Sequence, residues 1–178
     1  SFTKSSTGID LCLPLIKGIA QKTLHIFKTS EKITIDGILN EKTWQTADKA
    51  TQFQQSYPAD TVAAKTKTTV LTAYDNNFIY IAAICYDSLP NKKYVIQSLK
   101  RDFSFPVSDA FAIFIDPFND KVNGFSFAVS PLGVQREGLL QSGGSFGVTT
   151  SWDNKWFSAV HHNKDSWTVE MKIPFKTI

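Results

Sequence analysis

The stretch from Asp109 to Leu140, DAFAIFIDPFNDKVNGFSFAVSPLGVQREGLL, constrains the fold more than any other part of this chain. Its first run is apolar on both faces of an extended backbone until Asp116, which predicts a strand deep in a sheet. A polar turn ending in Asn-Gly follows, and FSFAVS then alternates between large apolar and small residues, as in a half-buried returning strand. A Pro-Leu-Gly turn precedes a third segment. The stretch therefore predicts an antiparallel meander at the middle of a sandwich.

The rest of the chain also reads as short strands separated by turns. The segment TAYDNNFIYIAAICYD predicts a hairpin, because two runs rich in β-branched and aromatic residues flank a turn. In SWTVEMKIPF, the alternation predicts an inward face from Trp167 to Ile173 and an outward polar face, Thr168, Glu170 and Lys172. The chain is therefore predicted to be all-β, an immunoglobulin-like or jelly-roll-type sandwich of short antiparallel strands with one short helix.

The first 22 residues differ from the rest in composition. Gly18-Ile19-Ala20 provides small residues of the kind that a signal peptidase needs, whereas Asp10 and Lys17 interrupt the apolar core of such a signal. A remnant of a secretory signal and a flexible leader are both consistent with this pattern. We therefore expect residues 1–22 to be a leader or flexible segment and residues 23–178 to form the folded domain.

Charge and cysteine content exclude several classes of protein. The net charge is only +3, and no Lys/Arg cluster is interleaved with aromatics, so a nucleic-acid partner is not expected. No apolar run approaches the length of a transmembrane helix. Cys12 and Cys85 give neither a disulfide framework nor a metal motif. Cys85 is most simply a buried thiol, although pairing with Cys12 stays open.

Two residues that other proteins use for ligands are interpreted here as structural. Trp44 lies on the short predicted helix EKTWQTADKA and is expected to seal one end of the sandwich rather than to bind a ligand. Met171, the only methionine, has the inward phase of a core residue, which disfavours an axial haem ligand. No Ser/His/Asp order, metal motif or phosphate loop is present, and no motif selects a pair of carboxylates. Catalysis by this chain is therefore not expected.

Six motifs occur in the order found in family 9 carbohydrate-binding modules: ITIDGILNEKTW, TAYDNNFIYIAAICYD, KRD, DAFAIFIDPFNDKVNGFSFAVSPLGVQREG, SWDNKW and SWTVEMKIPF. Over about residues 23–178, the chain resembles the family-9-like domain at the N-terminus of large outer-membrane proteins of Bacteroidetes-type bacteria. The resemblance implies a β-sandwich related to haem- and sugar-binding domains. It also implies a sugar clamped between two tryptophans, charged and amide side chains that hold hydroxyls, and structural calcium.

Trp152 and Trp156 are the best candidates for sugar platforms. They follow a Gly-rich loop and stand beside Asp153 and Asn154, so flat apolar faces and planar polar groups lie close together in the sequence. The alternative is that one or both tryptophans cover the open end of the sandwich. We carry both interpretations forward.

Four charged residues complete the predicted sugar site. Arg101 and Lys100 resemble the basic pair that family 9 modules use near the sugar, and a surface ion pair of Arg101 with its neighbouring aspartate is the alternative. Arg136 and Glu137 are expected to line the same cleft, or to form an ordinary ion pair across neighbouring strands. If the tryptophans and Arg101 share an exposed cleft, a sugar site is favoured.

Asp116, Asn119 and Asp120 provide oxygen-bearing side chains within five residues of one turn, which is a reasonable set for Ca²⁺. Turn formation through side-chain to backbone hydrogen bonds is the alternative.

The predicted function is that of a non-catalytic carbohydrate-binding module in an exported protein of a Gram-negative cell envelope, whether periplasmic, outer-membrane or cell-surface. The alternative is a structural domain that docks on a C-terminal outer-membrane barrel and has no sugar site.

Overall fold

The computed structural model describes residues 2–5, 8–12, 23–55, 62–87, 93–96, 98–141 and 147–178, with only the strand assignments given for 2–5 and 8–12. The small residues proposed as a signal cleavage site, and the side chain of Cys12 with its proposed pairing, lie outside the described residues. The described elements, in chain order, are β1 (Phe2–Ser5), β2 (Gly8–Cys12), β3 (Thr23–Lys28), α1 (Lys42–Thr46), β4 (Lys49–Ala50), β5 (Thr68–Tyr74), β6 (Phe78–Tyr86), β7 (Phe111–Ile115), β8 (Gly124–Val129), β9 (Gln135–Leu140), β10 (Val148–Thr149), β11 (Phe157–His162) and β12 (Ser166–Pro174).

These strands form two sheets, as the all-β prediction requires. The larger sheet has the order β1-β2-β3-β5-β6-β12-β11, with β4 also paired to β5, and the smaller sheet has the order β10-β9-β8-β7. The described pairs are antiparallel except β3 with β5. The sandwich fold, the β5–β6 hairpin and the β7–β8–β9 meander are confirmed. Since β1 and β2 continue the larger sheet beyond β3, the boundary before residue 23 stays a prediction.

The main core lies between the two sheets, where alternate residues of β6, β8 and β12 meet. Its fully buried members include Phe127, Val169 and Met171, so the inward phase predicted for the C-terminal strand is correct. Tight packing of this kind excludes water from apolar surface, which is the main stabilising contribution in such a domain. The two long strands β6 and β12 pair along nine residues in the interior of the larger sheet, with β12 next to the edge strand β11.

The prediction that the run from Phe111 to Ile115 lies deep in a sheet is wrong. β7 is an edge of the four-stranded sheet, and the side chain of Phe114 is 56% exposed. β8 is buried more deeply than predicted, because both Phe127 on its inner face and Ser126 on its outer face are inaccessible to solvent. Apolar composition alone does not distinguish an edge strand from a central one.

The outer face of the larger sheet is covered by residues 29–48, so Thr168 and Glu170 of β12 point outward as predicted but are not exposed to solvent. Glu170 is completely buried and Thr168 nearly so, because this segment packs over them. A second apolar cluster fills the layer, with Trp44 of α1 against Leu71 and Tyr80. The structural interpretation of Trp44 is confirmed, since only 3% of it is exposed, but it covers a face of the sheet.

Gly37 allows this segment to approach the sheet. Its φ is +84°, and a Cβ atom at this position would lie 2.6 Å from the backbone carbonyl carbon of Val160. Thr168 Oγ1 donates a hydrogen bond to the Gly37 carbonyl oxygen at the same place. Glycine is therefore required both by the left-handed backbone and by the close approach. Within the described residues, no helix is long and apolar enough to span a membrane.

Candidate functional site

The pairing of Arg101 with Glu137 is the centre of the candidate site. Glu137 lies on the inner face of β9 opposite Phe127, and only 1% of its side chain is exposed. The Arg101 guanidinium comes from the loop before β7 and is 41% exposed. Its Nε donates to Glu137 Oε1 at 3.0 Å, and its Nη2 contacts the same oxygen. A half-exposed cation therefore reaches inward to neutralise a buried carboxylate.

The remaining hydrogen-bonding groups of Arg101 spread along the surface. Nη1 donates to Gln135 Oε1 at 3.0 Å, and Nη2 also reaches Asp153 Oδ1 at 3.2 Å. Gln135 in turn donates through Nε2 to Ser158 Oγ at 2.9 Å. We call this set, Arg101, Gln135, Asp153 and Ser158, the polar strip. It links the loop before β7, strand β9, the loop before β11 and strand β11 itself.

Trp156 is part of the support beneath this strip. Its indole Nε1 donates to Glu137 Oε2 at 3.1 Å, and its ring packs edge-on against Phe127. Only 4% of Trp156 is exposed, which favours the covering interpretation over an exposed platform, although Trp156 does contribute to the lining of the groove described below, and a sugar-binding role for it stays a prediction. The sequence spacing placed Trp156 at the correct location but could not show that a buried carboxylate binds its polar edge.

Trp152 is partly buried beside the same core. Its ring lies 5.0 Å from that of Phe125 and 6.0 Å from that of Phe127, measured between centroids. The two tryptophans thus contact one phenylalanine rather than forming two walls of an open cleft. A platform role for Trp152 stays a prediction, and it is confined to the part of the ring that this packing leaves uncovered.

Arg136 does not share the cleft with Glu137. Successive residues of a strand point to opposite faces, so Arg136 lies on the outer face of the smaller sheet. Its guanidinium carbon is 4.5 Å from the ring centre of Phe105, and its Nε and Nη1 are buried without a hydrogen-bond partner. Lys100 is exposed beside Arg101 and has no described contact with the polar strip. The predicted basic pair is therefore represented in the strip by Arg101 alone.

An open groove of about 500 Å³ adjoins the polar strip. It lies where the edge strand β11 meets the segment that covers the larger sheet. Its lining consists of Lys32, Ile33, Thr34, Ile35, Gln135, Trp156, Phe157, Ser158 and Lys172. Gln135 and Ser158 belong to both the strip and the groove, so the two features form one continuous surface.

Phe157 is the exposed aromatic residue of this groove. It is 42% exposed, on the outer face of β11, and the ammonium groups of Lys155 and Lys172 lie 5.6 and 5.9 Å from its ring centre. The sequence reasoning missed Phe157, Gln135 and Ser158. The alternation of β9 places Gln135 on the same face as Glu137, whereas the local sequence does not show that Phe157 is exposed and its neighbour Trp156 buried.

Burial controls the ionisation of the site. Burial raises the pKa of the Glu137 carboxyl above its ordinary value, and the hydrogen bonds from Arg101 and Trp156 only partly offset this effect. Burial is the largest single influence on the Arg101 guanidinium and lowers its pKa, but the hydrogen bond to Glu137 and the charges of Glu137, Asp153 and Asp102 together outweigh it, so the pKa is raised. The pair therefore acts as a unit that keeps Arg101 oriented.

The predicted calcium ligands lie in the β7–β8 turn, outside the groove. Asp116 accepts hydrogen bonds from the backbone N–H groups of Asp120 and Lys121, and Asp120 accepts from Val122 and Asn123. These carboxylates are turned towards the backbone, so the arrangement fits turn formation and does not fit a calcium cage as it stands. No group of three metal-binding side chains occurs within the described residues. Calcium binding stays a prediction.

The fold and this surface define a class: a two-sheet β-sandwich with a supported polar strip beside an open groove, the architecture of a binding domain. A family model described as "Carbohydrate family 9 binding domain-like" matches residues 35–178. The chain belongs to this family, and the resemblance drawn from the six motifs is confirmed. No curated protein sequence matches the chain.

Solved structures show the same fold. A family 9 carbohydrate-binding module from Caldicellulosiruptor kristjanssonii, in complex with glucose, is 18% identical with a TM-score of 0.56, and the match covers 84% of this chain and 68% of that one. The complex of a family 9 module from the same organism with cellotriose is also 18% identical, with a TM-score of 0.55, and the match covers 84% of this chain and 66% of that one. A protein from Bacteroides uniformis ATCC 8492 is 13% identical with a TM-score of 0.50, over 75% of this chain and 62% of that one. This chain thus spans about two thirds of the length of these neighbours.

Proposed function

We propose that this chain is a non-catalytic carbohydrate-binding module that holds a sugar along the polar strip and in the adjoining groove. The observation that carries the proposal is the continuity of these two features through Gln135 and Ser158. A pyranose presents an apolar C–H face and a rim of hydroxyls, and the surface offers an aromatic ring beside amide, hydroxyl and guanidinium groups that match them.

Each part of the surface has a distinct role in this proposal. Phe157 provides the exposed ring for stacking, in place of the buried Trp156. Gln135, Ser158 and the outward edge of Arg101 offer hydrogen bonds to hydroxyls. Glu137 is too deeply buried to contact a sugar and instead fixes the guanidinium, which lowers the entropy lost when a ligand is bound.

Binding of glucose and cellotriose by the C. kristjanssonii module supports a saccharide ligand for this chain. The family is one of binding domains, which supports the absence of catalysis in the proposal. An exported, cell-envelope location is also part of the proposal, supported by the resemblance to the N-terminal domains of outer-membrane proteins, and fractionation of cells that express the full gene product tests it.

Isothermal titration with mono- and oligosaccharides tests the function directly. Phe157→Ala is expected to weaken binding at least tenfold, since stacking on an aromatic ring contributes on the order of 1 kcal/mol or more beyond area burial. Phe118→Ala is the matched control, because Phe118 is 70% exposed in the β7–β8 turn and should leave affinity unchanged. A folded parent protein that binds no saccharide, or equal affinity for both variants, would contradict the proposal.

A second candidate function is a domain that docks on another protein of the envelope, such as an outer-membrane barrel. It is favoured by the exposed apolar side chains of Phe114, Phe118 and Val122 on the edge strand β7 and the turn that follows it. Saccharide titrations that show no binding, together with capture of the remaining full-length protein by the parent domain but not by a Phe114→Ser, Phe118→Ser variant, would establish this alternative.

A further inference from the structure

The groove beside the polar strip is lined by positive charge only. Of its lining residues, Lys32 and Lys172 carry a charge, and none is a carboxylate. Lys155 adds a third ammonium group near the same ring, 5.6 Å from the centre of Phe157. The hydroxyls of a neutral sugar can accept hydrogen bonds from these ammonium groups, but only an anionic ligand also compensates their charge.

The three lysines are not neutralised by neighbouring carboxylates. Within the part of the chain that the structure describes, the side-chain ion pairs join Arg101 to Glu137 and to Asp153, and none includes these lysines. Lys172 does interact electrostatically with the Asp75 carboxylate. That carboxylate, however, is already held by the backbone N–H groups of Asn77 and Phe78 and by the Tyr80 hydroxyl.

Two carboxylates contact Arg101, Glu137 beneath the polar strip and Asp153 within it. Glu137 is covered and paired with Arg101, and Asp153 is paired with the same guanidinium. An anionic ligand in the groove therefore meets lysine ammonium groups on its flanks, whereas Glu137 and Asp153 share the single Arg101 cation and neither carboxylate lines the groove. The Lys172 ammonium group is 4.0 Å from the ring centre of Phe78 and 5.9 Å from that of the exposed Phe157, so it lies near both rings.

We infer that the ligand of this groove is an acidic saccharide, a sugar residue that carries a carboxylate or a sulfate ester. The inference rests on the proposed function and specifies its ligand. The C–H face of the pyranose stacks on Phe157 while its anionic group lies between Lys155 and Lys172, with Lys32 on the opposite wall. Gln135 and Ser158 then hold the hydroxyls at the end nearer the strip. The exposed ring suits the C–H face of a sugar, and the lysines favour a charged one.

Isothermal titration tests this with four probes: an oligogalacturonate, a sulfated galactan oligosaccharide, a neutral cello-oligosaccharide of the same length, and polyglutamate, which carries carboxylates without sugar rings. The protein variants are Lys172→Gln, Lys155→Gln and the charge-preserving Lys172→Arg. Lys164→Gln is the matched control, since Lys164 is exposed in the turn at the far end of the same hairpin. Thermal unfolding of each variant checks that it is folded.

At least one acidic oligosaccharide is expected to bind at least ten times more tightly than the neutral one. Whether the oligogalacturonate or the sulfated oligosaccharide binds better shows whether the groove prefers a carboxylate or a sulfate ester. Each lysine-to-glutamine change should weaken that binding about threefold to tenfold without affecting the neutral probe, and Lys172→Arg should restore most of it. Affinity should fall as salt is raised. Lys164→Gln should behave as the parent.

Three different failures are distinguishable. Equal or tighter binding of the neutral oligosaccharide, with no effect of the lysine changes, overturns the acidic ligand and leaves the carbohydrate-binding function intact. No binding of any saccharide overturns both. Polyglutamate binding as tight as that of the acidic sugar would show a simple anion surface and would also overturn the inference.

Discussion

Replacing Glu170 by glutamine tests how the segment that forms one wall of the groove is held on the larger sheet. Glu170 accepts the backbone N–H groups of Asp36 and Gly37 at 3.0 and 2.8 Å, and the indole Nε1 of Trp44 at 2.9 Å. Glutamine has nearly the same shape but presents an amide nitrogen in place of one oxygen. At least one of the three donors must then face another donor.

The magnitude follows from the burial of these donors. A buried donor that loses its acceptor costs about 1–3 kcal/mol, and hydrogen bonds to a charged group are the stronger ones. Because Gly37 and Trp44 are both buried, Glu170→Gln is expected to lower the free energy of unfolding by about 2 kcal/mol at neutral pH. Trp44→Phe removes the indole donor, so a double-mutant cycle between the two should give a coupling energy of about 1 kcal/mol. Urea denaturation of the parent, the two single variants and the double variant gives the four free energies of unfolding that the cycle needs.

The pH dependence of the free energy of unfolding tests the role of Glu170 independently. Burial raises the pKa of Glu170 in the folded protein, against the opposing hydrogen bonds from Gly37, Asp36 and Trp44. The folded state therefore keeps this proton to a higher pH than the unfolded chain, and its contribution to the free energy of unfolding falls as the pH rises through that interval. Glutamine does not titrate. The deficit of Glu170→Gln relative to the parent should thus be larger near about pH 4 than near about pH 7.

Asp165→Asn is the matched control, because Asp165 lies exposed in the turn between β11 and β12. It should change the free energy of unfolding by less than about 0.5 kcal/mol. The reasoning is refuted if Glu170→Gln is equally harmless, if the cycle shows no coupling with Trp44, or if the deficit grows as the pH rises.

Three other predictions follow from the charged residues. Arg136→Met should leave the free energy of unfolding unchanged or raise it by about 1 kcal/mol in urea denaturation, since two of its buried nitrogens lack partners. Arg101→Met should lower it by about 2 kcal/mol, because Glu137 is left buried without its cation while partial exposure screens the loss. If the calcium prediction holds, Ca²⁺ should raise the melting temperature of the parent and not of Asp120→Asn; equal melting temperatures with Ca²⁺ and with chelator would contradict it.

Much of the fold could be predicted from the sequence, because its strands have strong local signals. The alternation in SWTVEMKIPF fixed the inward residues correctly, from Trp167 through Met171. The turn residues before Phe78 and at Gly124 marked two antiparallel pairs that the structure contains. These features depend on neighbours in the chain, which is why a single sequence reveals them.

The errors share one physical cause: alternation identifies the two faces of a strand but not what covers each face. Glu170 has the phase of an outward residue, and it does point away from the core between the sheets. It is nevertheless buried, because a segment more than 120 residues earlier in the chain packs over it. Phe114 has the composition of a buried residue but lies on an edge strand. Contacts between distant segments decided both cases, and no local pattern encodes them.

The same cause explains why Trp156, one of the two tryptophans predicted as sugar platforms, is buried. Trp44 donates its indole N–H to Glu170 in the outer layer, and Trp156 donates its own to Glu137 between the sheets. Each buried carboxylate thus fixes one indole, and a ring held in this way has little face left for a ligand. The aromatic surface that the groove offers is the ring of Phe157, beside Lys155 and Lys172. If the tryptophans maintain the scaffold, selectivity for a ligand must come from the residues of the groove, which makes the lysines rather than the indoles the informative positions to change.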